Sequence, residues 1–177
     1  MTVGILGYGT VGKAIAAYHR GRGDKVLTYD RAMDPPEALD ALNETSPVVF
    51  VCVGTPSLKD LWGDPLDLDD LRERGSLVDR RHRPMRVYCP VDCSNVWGAA
   101  LSLTGAKTVI IKSTVMPGTT DAVQEAFPQH RVFFVPEFLS ADTAVQDYAK
   151  PRRSAIFGLP NTCSATDDVK DYRPWRP

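Results

Sequence analysis

Apolar residues in this chain gather in short runs that are separated by segments with helical spacing. The runs are rich in Val, Ile and Phe, and they lack the strict alternation of apolar and polar positions that a half-exposed strand shows. Continuous apolar runs are typical of parallel strands covered on both faces. The pattern predicts strands at Thr2–Leu6, Lys25–Tyr29, Val48–Val53, Thr108–Lys112, Arg131–Val135 and Ser154–Gly158.

Two of the intervening segments carry clear helix signals. Val11–Tyr18 is rich in small and apolar residues, and Pro35–Leu42 opens with prolines, which suit a first helical turn. Strands that alternate with helices form βαβ units with right-handed crossovers. The sequence therefore predicts an α/β fold, a doubly wound and mostly parallel sheet of the Rossmann-like kind, in a single domain.

Composition narrows the class of protein. The chain has 177 residues, of which 43% are hydrophobic and 24% charged, with a net charge of −1. These values indicate an ordinary globular domain without the excess of basic residues that is typical of nucleic-acid binding. We find no leader pattern and no apolar run near the roughly 18 residues of a membrane span, so we expect a cytoplasmic protein with no membrane partner.

Neither the cysteines nor the irregular stretch at 57–100 predicts a disulfide framework or a metal site. Cys52, Cys89, Cys93 and Cys163 are too few for a disulfide framework, and the Cys89–Cys93 pair has no matching second pair, so no metal site is predicted. Residues 57–100 are interpreted as an irregular insertion within a domain at 1–158, and 159–177 as a disordered tail.

The insertion holds an arginine cluster, formed by Arg72, Arg74, Arg80, Arg81, Arg83 and Arg86. Nearby Asp and Glu residues partly balance this charge, which favours a solvated loop. The alternative is a patch that binds phosphate or nucleic acid, but no aromatic residues are interleaved for base stacking.

The most informative feature is the run from Gly4 to Gly12, which contains a G-x-G-x-x-G turn directly after the first strand. Gly7 would permit the tight turn, Gly9 the close approach of backbone to a pyrophosphate, and Gly12 close packing of the next helix. The N-terminus of that helix would add unpaired N–H groups and its positive dipole end. The pattern predicts a dinucleotide site.

Asp30 ends the second strand, at the position where an acidic side chain can bind the adenosine ribose hydroxyls. A carboxylate there favours NAD over NADP, since a 2′-phosphate would meet like charge. Arg31 could soften that repulsion, which leaves the choice of cofactor open.

Three further runs lie at the ends of later strands: V-G-T-P at 53–56, K-S-T-V-M-P-G-T at 112–119 and P-E-F-L at 136–139. Together with the glycine turn they resemble the N-terminal NAD-binding domain of the UDP-glucose/GDP-mannose 6-dehydrogenase family, over roughly residues 1–158. The resemblance implies oxidation of the 6-hydroxymethyl group of a nucleotide sugar to a carboxylate, with NAD as the cofactor.

The resemblance also implies the roles of individual residues. It assigns catalysis to Thr114 and Glu137, the latter in water activation and proton transfer. The residues implied to bind the cofactor are Gly7, Tyr8, Gly9, Thr10, Val11, Gly12, Asp30, Val53, Gly54, Thr55, Ser113 and Thr114.

The sequence departs from the family in three respects, one of which is the insertion at 57–100. It has no G-x-x-F-G-G-S-C segment to supply the nucleophilic cysteine, and Ser140-Ala141-Asp142 stands where the family often has another glutamate. We therefore expect a separate chain or domain to provide the substrate site, and we leave homo-oligomerisation open. The alternatives are a stand-alone NAD-binding module without turnover and, less well supported, a Rossmann dehydrogenase for a small hydroxy acid.

Overall fold

The computed structural model describes residues 1–56, 91–151 and 156. Alternating strands and helices make up these residues, and we number them along the described chain. The strands are β1 (Thr2–Leu6), β2 (Lys25–Tyr29), β3 (Val48–Val51), β4 (Thr108–Ile111) and β5 (Arg131–Phe134). The helices are α1 (Thr10–Gly21), α2 (Pro36–Thr45), α3 (Ser94–Leu101), α4 (Thr119–Ala126) and α5 (Ala144–Ala149).

The strands form one parallel sheet in the order β2-β1-β3-β4-β5. The prediction of an α/β fold with a doubly wound parallel sheet is confirmed. The strand order reverses direction between β1 and β3, and in such sheets ligands bind at the carboxyl ends of the strands next to this switch point. The predicted strand at Ser154–Gly158 lies outside the described residues.

Each face of the sheet carries its own apolar core, which explains the continuous apolar runs of the sequence. One core contains Leu42 of α2, Val96 of α3 and Val123 of α4. The other contains Ile15 of α1 and Tyr148 of α5. Helices therefore cover both faces, and only the ends of the strands are left for a site.

Three strands end one or two residues earlier than the sequence predicts, because the last predicted residues no longer form regular strand pairs. Cys52 and Val53 follow β3, Lys112 follows β4, and Val135 follows β5. Pairing nevertheless continues briefly: the amide of Cys52 donates to the carbonyl of Leu6 at 2.7 Å. The first residues beyond these strands are thus held firmly at one edge of the sheet.

Helix α3 forms where the sequence analysis placed the end of an irregular stretch. Asp92, two residues before the helix, accepts the amide of Ser94 at 2.8 Å, and Val96, Ala99 and Ala100 pack their buried side chains against the sheet. The arginine cluster, Cys89, Cys163 and the predicted tail lie outside the described residues. Among the helices that the structure describes, none is both long and apolar enough to cross a membrane.

Candidate nucleotide-binding site

The turn between β1 and α1, residues 7–12, is built so tightly that two of its glycines admit no side chain. Gly7 has a φ of 91°, and its amide donates to the carbonyl of Tyr29 at 2.9 Å. A Cβ on Gly7 would lie 2.6 Å from the carbonyl oxygen of Cys52, and one on Gly12 would lie 2.1 Å from the carbonyl oxygen of Gly7. The turn is therefore locked against both β3 and α1.

Gly9 is the opposite case, because a Cβ built on it would meet no atom within 4 Å. The residue is exposed and is the N-cap of α1, where its carbonyl accepts the amide of Lys13 at 2.9 Å. The first-turn amides of a helix, here from Thr10 and Val11, have no acceptor within the helix itself. This arrangement leaves open space against a helix N-terminus, as a phosphate group requires.

Asp30 ties the end of β2 to the turn. Its Oδ2 accepts the amide of Tyr8 at 2.8 Å, and its Oδ1 accepts the amide of Ala32 at 3.0 Å. The hydrogen bond from Tyr8, followed by that from Ala32 and the charge of Arg31, lowers the pKa of Asp30. The carboxylate is thus ionised at neutral pH and already oriented.

A cavity of about 430 Å³ lies beside the turn, between the switch point and α3. Five residues predicted from the sequence line it, namely Gly7, Gly9, Asp30, Val53 and Gly54. Sequence reasoning missed the opposite wall, which contains Leu39, Ser94, Asn95, Gly98 and Ser102. That wall is held in place by Asn95, whose Nδ2 donates to the carbonyl of Gly54 at 2.9 Å.

The sequence gives only a weak indication of helix α3, which forms most of this wall. Asp92 accepts the amide of Ser94 but precedes the N-cap residue Cys93, and a glycine inside the helix and the irregular sequence ahead of it obscured the helical pattern. The wall could be recognised only after β3 and α3 were placed side by side.

The other predicted residues do not line this cavity. Tyr8, Thr10, Val11 and Gly12 belong to the turn and the start of α1, and the rest lie further along the carboxyl edge of the sheet. Ser113 is buried, and its hydroxyl donates to the carbonyl of Val53 at 2.7 Å, which joins the ends of β3 and β4. Thr114 is exposed and Thr55 half-buried. Glu137 follows β5, and its Oε2 accepts the amide of Leu139 at 2.7 Å. The structure thus places them at successive strand ends.

Two titratable groups that the resemblance does not assign lie at the same edge. Cys52 is half-buried as a residue, and burial of its thiol raises the pKa to about 12. Lys112 is 4% exposed, and burial lowers the pKa of its ammonium to about 8. Cys52 packs against the core that contains Ile15 and Tyr148. Within the described residues, no cluster of His, Cys, Asp and Glu side chains is suited to hold a metal ion.

No model of a known protein family matches the chain. Individual relatives do match. A GDP-mannose 6-dehydrogenase from Pseudomonas aeruginosa is 32% identical over 121 residues, which cover 63% of this chain and 23% of that protein. A GDP-mannose 6-dehydrogenase from Azotobacter vinelandii is 27% identical over an alignment of 200 positions, which covers 88% of this chain and 40% of that protein. The chain thus spans less than half the length of each relative.

A solved structure gives the same picture of the fold. The ternary complex of a GDP-mannose dehydrogenase from Pseudomonas aeruginosa matches with a TM-score of 0.60 and 20% sequence identity. The match covers 90% of this chain and 41% of that one. At this level of sequence identity, the structural likeness establishes the fold alone.

Proposed function

We propose that this chain binds NAD and supplies the cofactor part of a nucleotide-sugar 6-dehydrogenase. Its relationship to the NAD-binding domain of the UDP-glucose/GDP-mannose dehydrogenase family supports this proposal. The observation that carries this proposal is the contrast within the glycine turn. Gly7 and Gly12 are packed against backbone, whereas Gly9 faces open space at the N-terminus of α1. A pyrophosphate fits that space, and its charge suits the helix end.

The cofactor is NAD in this proposal because of the fixed negative charge at Asp30. Both carboxylate oxygens are held by backbone amides, yet each keeps a lone pair for a ribose hydroxyl. A 2′-phosphate would be repelled by the same oxygens. Arg31 is exposed at the cavity wall, where solvent weakens its power to offset that repulsion.

The reacting half of the cofactor is assigned to the carboxyl ends of β3, β4 and β5. Bound there, NAD would accept a hydride from the substrate carbon. In this proposal Thr55 and Thr114 line that half, and Glu137 accepts or returns a proton. The amide of Leu139 orients the Glu137 carboxylate, which leaves its other oxygen for water or substrate.

Cys52 is excluded as the thiol that would form a covalent intermediate. A nucleophilic cysteine needs a thiolate near neutral pH, and this buried thiol titrates at about 12. In our proposal the nucleophile and the groups that recognise the sugar nucleotide belong to a second domain or chain, as the sequence departures suggest.

The proposal is tested by mixing the purified chain with NAD, with either GDP-mannose or UDP-glucose, and with the separately produced C-terminal part of a GDP-mannose 6-dehydrogenase relative, and following NADH formation. We expect turnover that Glu137→Gln lowers by about a hundredfold. Glu125→Gln, which alters an exposed carboxylate on α4, is the matched control and should leave the rate unchanged. NAD binding with no turnover for either sugar would instead favour the stand-alone binding module.

A further inference from the structure

Two buried lysines flank strand β4, and only one of them has a structural explanation. Lys107 precedes the strand and is 7% exposed. Its Nζ donates to the carbonyl of Asn43 at 2.7 Å and to that of Ser46 at 3.0 Å, so it satisfies the C-terminal end of α2. This ammonium stabilises the fold.

Lys112 follows the same strand and is 4% exposed, but its ammonium makes no hydrogen bond or ion pair within the described part of the chain. Its Nζ lies 5.7 Å from the centre of the Tyr148 ring, a cation–π contact. Burial of a charge without hydrogen bonds is costly. Within the described residues, the ammonium is therefore held at the carboxyl edge of the sheet by the Tyr148 ring rather than by a hydrogen bond.

The strand order brings the end of β4, where Lys112 lies, to the edge along which the reacting half of a bound dinucleotide would extend. The pyrophosphate site lies at the end of β1 and the ribose site at Asp30, after β2. The rest of the cofactor must then extend the other way, past β3 to β4, and three strand steps from β2 to β4 are about 14 Å. Lys112 is fixed there by its amide, which donates to the carbonyl of Val51 at 2.8 Å.

We propose that Lys112 makes this site bind the reduced nicotinamide in preference to the oxidised one, an inference that rests on the proposed function. The nicotinamide ring carries a positive charge when oxidised and none when reduced. A buried ammonium nearby repels the oxidised ring and leaves the neutral ring unaffected. Lys112 would thus make bound NAD a stronger acceptor of hydride from an alcohol.

The charges around Lys112 determine how this preference depends on pH. Three titratable groups face it: the Cys52 thiol from the segment after β3, the Glu137 carboxylate from the segment after β5, and the Tyr148 phenol from α5. With its pKa raised to about 12, Cys52 stays neutral near pH 8. Lys112 titrates at about 8, so it loses its charge before that thiol gains one.

The experiment measures dissociation constants for NAD and NADH by calorimetry and expresses the result as their ratio. Loss of folded protein affects both constants equally, so the ratio is insensitive to stability. In Lys112→Met we expect NAD to bind on the order of fivefold more tightly relative to NADH. Lys112→Arg, which keeps the charge, should retain the original ratio. Lys107→Met is the matched control, because it removes a buried lysine at the opposite edge.

A pH series on the unaltered chain provides a second, independent measurement. Raising the pH through about 8 deprotonates Lys112, so the ratio should shift in favour of NAD in the same direction as in Lys112→Met. The inference is overturned if neither the substitution nor the pH change alters the ratio. Failure of the folded chain to bind either nucleotide would overturn the proposed function itself.

Discussion

The carboxylate of Asp30 accepts the backbone amide of Tyr8 at 2.8 Å, so the residue that ends β2 holds the glycine turn that follows β1. The two parts of the candidate site are therefore coupled. Because this hydrogen bond is the main cause of the lowered pKa of Asp30, the same contact keeps the carboxylate charged and fixes the turn. Selection of the ribose and binding of the phosphates are expected to change together.

Asp30→Asn should weaken NAD binding and reduce discrimination against NADP. Loss of the negative charge removes the repulsion of a 2′-phosphate, so we expect the affinity for NADP relative to NAD to rise about tenfold. Calorimetric titration with both nucleotides measures this. Asp40→Asn, an equal change of charge on the exposed face of α2, is the control. An unchanged preference in Asp30→Asn would remove the argument for NAD.

The same substitution at two glycines should have opposite consequences. Gly12→Ala brings a Cβ to 2.1 Å from the carbonyl oxygen of Gly7, and we expect it to lower the free energy of unfolding by about 3 kcal/mol. Gly9→Ala meets no atom, so its cost in stability should be below about 1 kcal/mol. Its methyl group nevertheless occupies the phosphate space.

Urea unfolding and NAD titration of both variants separate these effects. We expect Gly9→Ala to unfold almost as the unaltered chain does while its NAD affinity falls at least about tenfold. Undiminished NAD affinity in Gly9→Ala would show that the phosphates lie elsewhere.

Lys107→Met should destabilise the fold without a direct effect on the site. It leaves the carbonyls of Asn43 and Ser46 without their donor, at an expected cost of about 2 kcal/mol in the free energy of unfolding. Lys150→Met, at an exposed position after α5, is the matched control. Equal stability of the two variants in urea unfolding would contradict the role assigned to Lys107.

Acid should destabilise the chain through His19, which is 1% exposed. Burial lowers the pKa of His19 below its ordinary value of 6.5 and outweighs the hydrogen bond to Asp24. Below about pH 6.5 the unfolded chain then binds more protons than the folded chain, so the free energy of unfolding falls as the pH drops. In unfolding measured between about pH 7 and pH 5, His19→Gln should reduce this slope, and Lys150→Gln should not.

The sheet could be predicted because burial on both faces leaves a direct mark on the sequence. The runs at β1 and β2 coincide with the observed strands, and those at β3, β4 and β5 differ only at their ends. The glycine turn was equally readable, since the packing at Gly7 and Gly12 tolerates no other residue.

The cavity wall and the buried lysine could not be predicted, because each depends on contacts between distant segments. Asn95 reaches the site only through the carbonyl of Gly54, and α3 is a short helix with a glycine at its centre. Lys112 belongs to a recognisable motif, but its burial depends on how α5 packs over the end of β4. Such placement is a property of the tertiary fold.

The central claim is that the turn at residues 7–12 and Asp30 together bind a dinucleotide. Calorimetric titration of the purified, folded chain with NAD tests it most directly. We predict saturable binding at one site that Gly9→Ala abolishes or severely weakens. A chain that is folded by circular dichroism and shows no heat of binding with NAD or NADP would contradict the account.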